Sequence, residues 1–344
     1  MRTSELRLAV IGAGAIGGTT AAFLKKAGWD PILVCKHADT LAQIEQRGLQ
    51  LLGLKGEQTV RLRAVKTVDD LPNDLDVVFH ATKANDCEAA AKDLVPHLKP
   101  ASRVVSLQNG ICEDALGEIL GRDRIIGCVV GWGATHAGPG RIEVTSPGEF
   151  VLGYLDGPSD AHLDPLRSML EAVQPTRISD NIMGELYSKL MINSCINSLG
   201  AITGAALGEL MAVGKIRRIF IAIMREALAT ATAMGLQVAP STGGKLDYDR
   251  LLAGNGMVKQ LRRHLVFRVI GFKYRRVKSS SLQSLERGRL TEIDYLNGYI
   301  IRRAAENDVP VPINQAVVRI IKAIEAGQRP IAMDNLDDPL FDGI

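Results

Sequence analysis

Residues 7–17 read Arg7-Leu8-Ala9-Val10-Ile11-Gly12-Ala13-Gly14-Ala15-Ile16-Gly17. Leu8 to Ile11 form a short apolar, β-prone run, and three glycines follow at once in the spacing Gly-x-Gly-x-x-Gly. Thr19 to Lys26 then has the Ala/Leu/Lys content of a helix, Gly28 stands where that helix would end, and Pro31 to Cys35 is a second apolar run. Strand, glycine turn, helix, strand is the context in which this spacing serves a dinucleotide. Gly12 allows the tight turn, Gly14 lets the backbone approach a pyrophosphate, and Gly17 lets the helix lie close to the strand. The free N–H groups of the helix N-terminus face the phosphates. Residues 12–17 are the expected phosphate cradle.

The end of the second run bears on which dinucleotide is held. An Asp or Glu about 20 residues past the glycines would hold the ribose 2′-hydroxyl of NAD. Here Cys35 is followed by Lys36 and His37, and the nearest acid, Asp39, stands further into the loop. A cation at that place pairs with the extra phosphate of NADP. Lys36 therefore favours NADPH/NADP, with a solvated strand-end lysine as the plainer alternative.

The alternation continues. Asp76 to Thr82 and Ser102 to Leu107 are apolar β-type runs, separated by a helical pattern over Asp86 to Leu98. Strands alternating with helices imply a parallel sheet covered on both faces, whose ligands sit beyond the carboxyl ends of the strands. That places Lys83 and Asn109 at the cofactor rim, although Asn109-Gly110 is also a turn signal. Glycine-punctuated β-type segments from Ile125 to Leu155 complete this half.

Composition narrows the function classes. With 344 residues, 46% hydrophobic and 23% charged, the chain has the make-up of a globular protein of about two domains. The formal net charge of +3 requires neither nucleic acid nor a membrane, and 4% aromatics leave few stacking platforms for bases. Cys35, Cys87, Cys112, Cys128 and Cys195 are scattered without a Cys-x-x-Cys pair. They read as reduced cytoplasmic thiols, and no metal site is expected. The longest apolar candidate, Ile219 to Leu236, is broken by Arg225 and Glu226 and is too polar to span a bilayer.

From Asp160 onward helical periodicities dominate. Lys189, Asn193 and Asn197 recur at i, i+4 and i+8. At about 100° per residue they share one helix face over about 12 Å. The surrounding Leu190, Ile192, Ile196 and Leu199 imply a largely buried helix, in which polar groups need ligands or partners. An exposed polar face is the simpler alternative. A further helix is expected from about Ser281 to Asn307, with Glu292 on it. Tyr274 and Lys278 have the Tyr-x-x-x-Lys spacing of short-chain dehydrogenases, but they stand too late in the chain and beside the wrong glycine motif. Residues 251–285 hold eight Lys/Arg and no acid. This is expected to be a solvated basic face, with anion attraction or a membrane-surface contact as the sharper alternative.

Taken together the chain resembles the ketopantoate reductase (2-dehydropantoate 2-reductase) family. The resemblance rests on Gly12-Ala-Gly-Ala-Ile-Gly17, Ala-Thr-Lys83-Ala, Leu-Gln-Asn109-Gly and Glu185-Leu-Tyr-Ser-Lys189-Leu-x-x-Asn193-x-x-x-Asn197. It continues through Ser280-Ser281-Leu-Gln and Thr291-Glu292-Ile-Asp-Tyr-Leu-Asn-Gly298, in family order from about residue 7 to about 325. It implies an α/β chain: a Rossmann NADP-binding domain (1–179), an all-helical substrate domain (180–330), an acidic tail (331–344), and an active site in the cleft between the domains. It implies NADPH-dependent reduction of ketopantoate to pantoate, on the route to pantothenate and coenzyme A. Lys189 is then the proton donor and Asn193, Asn197 and Ser281 hold the substrate. Glu292 sits against cofactor and reacting centre, Asn109 lies near the nicotinamide, Lys36 at the 2′-phosphate, and Lys83 on the cofactor side of the cleft. A homodimer is a family expectation.

Leu207 stands where many members have Asn before Gly-Glu-Leu, and the basic stretch before Ser279 is longer than in compact members. The alternatives are a paralogue acting on another 2-oxo acid, an opine or 3-hydroxy-acid dehydrogenase, and a non-catalytic protein that senses NADPH.

Overall fold

The computed structural model describes residues 6–241, 246–254, 256–273, 275 and 277–342. It divides into two compact units, Met1–Leu186 and Tyr187–Ile344. The division falls later than residue 179, inside the helix Ile182–Thr203. Tyr274 and Arg276, of the Tyr-x-x-x-Lys spacing and the basic stretch, lie outside the described residues.

Among its described residues the first unit holds twelve strands: β1 Leu8–Ile11, β2 Pro31–Val34, β3 Leu49–Gly53, β4 Gln58–Val60, β5 Ala64–Val65, β6 Leu75–His80, β7 Leu98–Ser106, β8 Ile125–Val130, β9 Gly133–Gly138, β10 Arg141–Ser146, β11 Phe150–Tyr154 and β12 Thr176–Ile178. Eight form one sheet in the order β12-β11-β8-β7-β6-β1-β2-β5. From β5 to β8 the neighbours are parallel. This is the doubly wound order, reversing between β1 and β6, the place where such sheets take dinucleotides. All of Leu8–Ile11 and Pro31–Val34 is buried, as continuous apolar runs are when both faces of a parallel sheet are covered. A second sheet, β4-β3-β10-β9, lies against α1 (Ala15–Lys26). There Gly18 leaves room for the Ile142 side chain. In that layer β9 and β10 fall within the β-type segments read from Ile125 to Leu155, whereas β3 and β4 have no counterpart in the sequence reading.

The second unit contains helices and, among its described residues, no named strand. In α8 (Gly214–Ala233) Glu226 does more than interrupt an apolar run. Its carboxylate accepts from Ile313 N at 2.8 Å and Asn314 N at 2.9 Å. It thereby caps the N-terminus of the helix Pro312–Glu325.

Three expectations change here. The expected helix from about Ser281 to Asn307 is two, Ser280–Glu286 and Asn297–Glu306, joined by a loop and a short turn at Ile293–Tyr295. Gly288, at φ +64°, ends the first helix, so Glu292 caps a turn and is not on a helix. The acidic segment after residue 330 packs on the helices before it: Leu336 and Phe341 are buried, and Asn335 Nδ2 donates to Ile202 O at 3.2 Å. Within the basic stretch Arg263 is buried and donates to Leu251 O at 2.6 Å and Ala253 O at 2.5 Å, leaving the solvated face to its neighbours.

Candidate active site

In the nucleotide unit, the register of the parallel strands aligns Ile11, Val34, His80 and Ser106 across one edge of the sheet. The ladder extends one step further through Gly12 N to Val34 O at 3.1 Å and Ala81 N to Ile11 O at 2.8 Å. Gly12–Gly17, Lys36, Lys83 and Asn109 therefore all follow the carboxyl ends of four adjacent strands, as the alternation implied.

Each glycine has a distinct physical reason. Gly12 has φ +107°, and a Cβ there would come within 2.7 Å of Ala81 O. At Gly17 a Cβ would run into Gly12 O, so the helix could not lie this close to the turn. Gly14 caps α1 with nothing within 4 Å of where its Cβ would be, leaving its backbone open to a ligand. Ala13, Ala15 and Ile16 are half-buried between them. The helix has no acidic residue in its first turn and no side-chain cap. Such an end suits a pyrophosphate.

Lys36 is exposed just past β2, and its Nζ lies 2.6 Å from Asp86 Oδ2. A carboxylate therefore stands at the very cation assigned to the 2′-phosphate. The sequence reading missed it, because Asp86 belongs to the turn after Lys83, fifty residues further on.

Behind Lys83 and Asn109 lies a buried polar chain. Ser106 Oγ donates to Gln108 Oε1 at 2.9 Å, and Gln108 Nε2 lies 2.7 Å from His80 Nδ1 and 3.3 Å from Thr82 Oγ1. With Nδ1 accepting, the imidazole proton is on Nε2, which has no partner among the described residues. His80 is fully buried, and burial pushes its pKa down to about 4, so it is neutral near pH 7. His80, Thr82 and Gln108 thus fix the backbone that presents Lys83 and Asn109. The adjacency of Gln108 to Asn109 and of His80 to the Ala-Thr-Lys turn was the available signal.

In the helical unit, Lys189, Asn193 and Asn197 lie on α6 (Ile182–Thr203). Asn197 is buried, while Lys189 and Asn193 are half-buried. Asn197 Oδ1 accepts from Ser280 Oγ at 3.3 Å, and Asn197 O accepts from Ser279 Oγ at 3.5 Å. Ser279 also caps its own helix by accepting from Leu282 N at 3.1 Å. Gly200 makes this approach possible: a Cβ there would come within 2.6 Å of Ser279 Oγ. The structure thereby brings the Ser279–Ser281 segment against the asparagine end of the α6 stripe, with Ser281 itself buried.

Glu292 is 7% exposed at the head of its turn. Its neighbours hold it there. Thr291 donates from N (2.8 Å) and Oγ1 (2.6 Å) to Glu325 Oε1, and Asp294 pairs with Lys322. Thr291 and Asp294 thereby anchor the turn that Glu292 heads. Leu207, at the start of α7 (Leu207–Ala212), is buried. All five cysteines are buried. Among the described residues no helix is long and apolar enough to cross a membrane.

The family described as ketopantoate reductase PanE/ApbA matches residues 8–157, and its C-terminal domain matches residues 181–325. The chain is 26% identical over 324 residues to a 2-dehydropantoate 2-reductase of Archaeoglobus fulgidus, covering 93% of this chain and 98% of that one. It is 28% identical to the corresponding protein of Pyrococcus abyssi, at 93% and 98% coverage. The crystal structure of a PanE/ApbA family ketopantoate reductase from Ralstonia eutropha superposes with TM-score 0.80 at 30% identity, over 94% of this chain and 99% of that one. A D-mandelate dehydrogenase solved with NADH and anilino(oxo)acetate shares the fold, with TM-score 0.80 at 24% identity over 94% of this chain and 99% of that one. With both parts of the chain matched in order, this protein belongs to the ketopantoate reductase PanE/ApbA family and is an oxidoreductase of that type.

Proposed function

We propose that this protein reduces the 2-oxo group of ketopantoate to the hydroxyl of pantoate with NADPH, as a cytoplasmic enzyme of pantothenate and coenzyme A formation. The observation that carries this reading is the α6 stripe of Lys189, Asn193 and Asn197, tied by Asn197 to the Ser279–Ser281 segment. Relatives named 2-dehydropantoate 2-reductase, which align over nearly their whole length, support it.

The open Gly14 backbone and the acid-free N-terminus of α1 suit a dinucleotide, with Gly12–Gly17, Lys83 and Asn109 as its holding residues. Lys36 would take the 2′-phosphate. When bound, the reduced nicotinamide supplies the hydride. Reduction builds negative charge on the substrate's carbonyl oxygen, and Lys189 delivers the proton there. Asn193, Asn197 and Ser281 bind substrate oxygens without adding charge. Glu292 borders the cofactor and reacting centre.

A second reading is reduction of a different 2-oxo acid, favoured by buried, apolar Leu207 where other members offer an amide. The test is a panel of 2-oxo acids with NADPH and NADH, followed by loss of nicotinamide absorbance. Turnover confined to ketopantoate supports the first reading, and faster turnover of another 2-oxo acid supports the second. Cofactor binding without turnover on any of them supports a sensor.

A further inference from the structure

The basic residues of 251–285 do not share one fate. Arg263 is buried on main-chain carbonyls, and Lys278 pairs with Glu286 at 2.8 Å. Arg268 and Arg275 are exposed and make no hydrogen bond or ion pair among the described residues. Arg275 rests instead over the Phe272 ring, 5.4 Å from its centre. Both arginines line an open groove of about 550 Å³ between the helix Met257–Lys273 and α7, together with Met211, Ala212 and Phe272. Two glycines let its walls come together. A Cβ on Gly271 would run into the Met211 side chain, and one on Gly208 would lie 2.7 Å from Arg275 Cβ.

A third guanidinium reaches the same place from α8. Arg217 Nη1 donates to Met211 O at 2.5 Å and to Ala212 O at 2.9 Å, and its Nε donates to His264 Nδ1 at 3.0 Å. These bonds fix the Arg217 group beside the groove and leave its Nη2 without a partner among the described residues. Burial and the charges of Arg268 and Arg218 push the Arg217 pKa down. Burial and the charges of Arg217, Arg218 and Arg263 do the same to His264. Positive charge is therefore crowded here without matching negative charge. The acid that lines the groove, Glu209, is engaged with its own helix, where Oε2 accepts from Ala206 N at 3.0 Å.

We propose that this groove binds a small organic phosphate, whose phosphoryl group is held by Arg217, Arg268 and Arg275. Three guanidinium groups against one engaged carboxylate leave a surplus of roughly two positive charges, about what a phosphate monoester carries in the opposite sign near pH 7. Planar guanidinium forks match phosphate oxygens, and a carboxylate ligand would bring half that charge and fewer acceptors. Phe272, Met211 and Ala212 offer an apolar bed for the body of the ligand. The groove has the volume of a small-molecule site.

The placement of the arginines separates a site from a general basic face. His264, Arg268 and Gly271 recur at i, i+4 and i+7 and share the flank that meets α7 and α8. Arg262, six residues before Arg268, is turned about 120° away from it around the helix. The site lies wholly in the helical unit, whereas the Gly12–Gly17 cradle belongs to the nucleotide unit.

The test is isothermal titration calorimetry of the full chain, without substrate, using phenyl phosphate, inorganic phosphate and benzoate as probes. The expected result is one phenyl phosphate per chain, weaker binding of inorganic phosphate, which lacks the ring, and weaker binding of benzoate, which lacks the second charge. Arg268→Gln and Arg275→Gln should each weaken phenyl phosphate at least about fivefold, the scale of one lost charge-assisted hydrogen bond. Arg262→Gln removes the same charge from another flank of the same helix and should leave the affinity within about twofold, as expected for a solvated charge. All three arginines are exposed, so the variants should melt with the parent. Saturating NADPH should leave the phenyl phosphate affinity unchanged. Three results would overturn the proposal. Absence of binding at millimolar probe removes the site. Equal losses in Arg262→Gln and Arg268→Gln show diffuse attraction to a basic surface. Displacement of phenyl phosphate by NADPH puts the phosphate in the dinucleotide cradle.

Discussion

Lys36 Nζ lies 2.6 Å from Asp86 Oδ2, so the cation proposed to take a 2′-phosphate already holds a carboxylate. The two reach the same corner from different strands, Lys36 just past β2 and Asp86 in the turn after β6. A phosphate arriving at Lys36 competes with Asp86 and is repelled by it, whereas the free 2′-hydroxyl of NADH can donate to that carboxylate. On the proposed cofactor placement, Asp86 moderates the preference for NADPH that Lys36 creates.

The first prediction follows from that pair. Asp86→Asn should tighten NADPH binding several-fold while weakening NADH slightly, and Lys36→Glu should weaken NADPH at least about tenfold more than NADH. Both side chains are substantially exposed, so the pair adds little stability and neither variant should shift the melting temperature much. Nicotinamide fluorescence titrations check this without any substrate. An unchanged NADPH-to-NADH ratio in both variants would remove this corner from cofactor choice.

Gly200 tests the approach of the Ser279–Ser281 segment to α6. A Cβ at this position would meet Ser279 Oγ at 2.6 Å and Ser279 Cβ at 2.9 Å, and forcing a methyl group into such a gap costs about 1–3 kcal/mol. Gly200→Ala should raise KM for the oxo acid about tenfold or more, with a much smaller change in the dissociation constant of NADPH. Equal weakening of both would show a general loss of fold.

His80 gives a pH prediction with a definite sign. Its ordinary pKa of 6.5 is pushed down by burial to about 4 in the folded chain. Between these values the unfolded chain takes up a proton that the folded chain refuses. Its contribution is thus full above pH 6.5 and falls as the pH drops toward 4, by about 3 kcal/mol in all. Urea unfolding of the parent and of His80→Leu from pH 7 to pH 4 should show the shallower pH dependence in the variant. Parallel pH profiles would contradict a neutral, buried His80.

The doubly wound sheet was legible because its evidence is local: Leu8–Ile11, the three glycines and the following helix lie between Leu8 and Lys26. The face shared by Lys189, Asn193 and Asn197 was legible because helical periodicity is itself a local property. What escaped depends on distance along the chain. Asp86 reaches Lys36, Glu226 caps a helix 86 residues later, and Glu325 holds Thr291 from 34 residues away. No pattern within either segment announces its partner. The break at Gly288 escaped for another reason: Leu285, Ile293, Leu296 and Ile300 keep near-helical spacing across a loop, and periodicity cannot register one residue at positive φ.

Thr291 extends the account to Glu292. Thr291→Val removes both the hydroxyl donor to Glu325 and the acceptor for Ile293 N while nearly preserving shape. It should lower kcat several-fold and leave the NADPH dissociation constant near normal, with Thr291→Ser restoring most of the rate. A rate unaffected by Thr291→Val would show that the turn holds Glu292 without this hydroxyl.

The most direct test is the rate of NADPH oxidation with ketopantoate, measured side by side for the parent protein and Lys189→Ala at saturating cofactor. The account predicts ready turnover by the parent and a kcat at least about a hundredfold lower in the variant, the scale expected for losing a positioned acid, with NADPH binding retained. Near-parental turnover by Lys189→Ala would contradict the assignment of the proton donor, and a parent protein that binds NADPH yet leaves ketopantoate unreduced would contradict the proposed reaction itself.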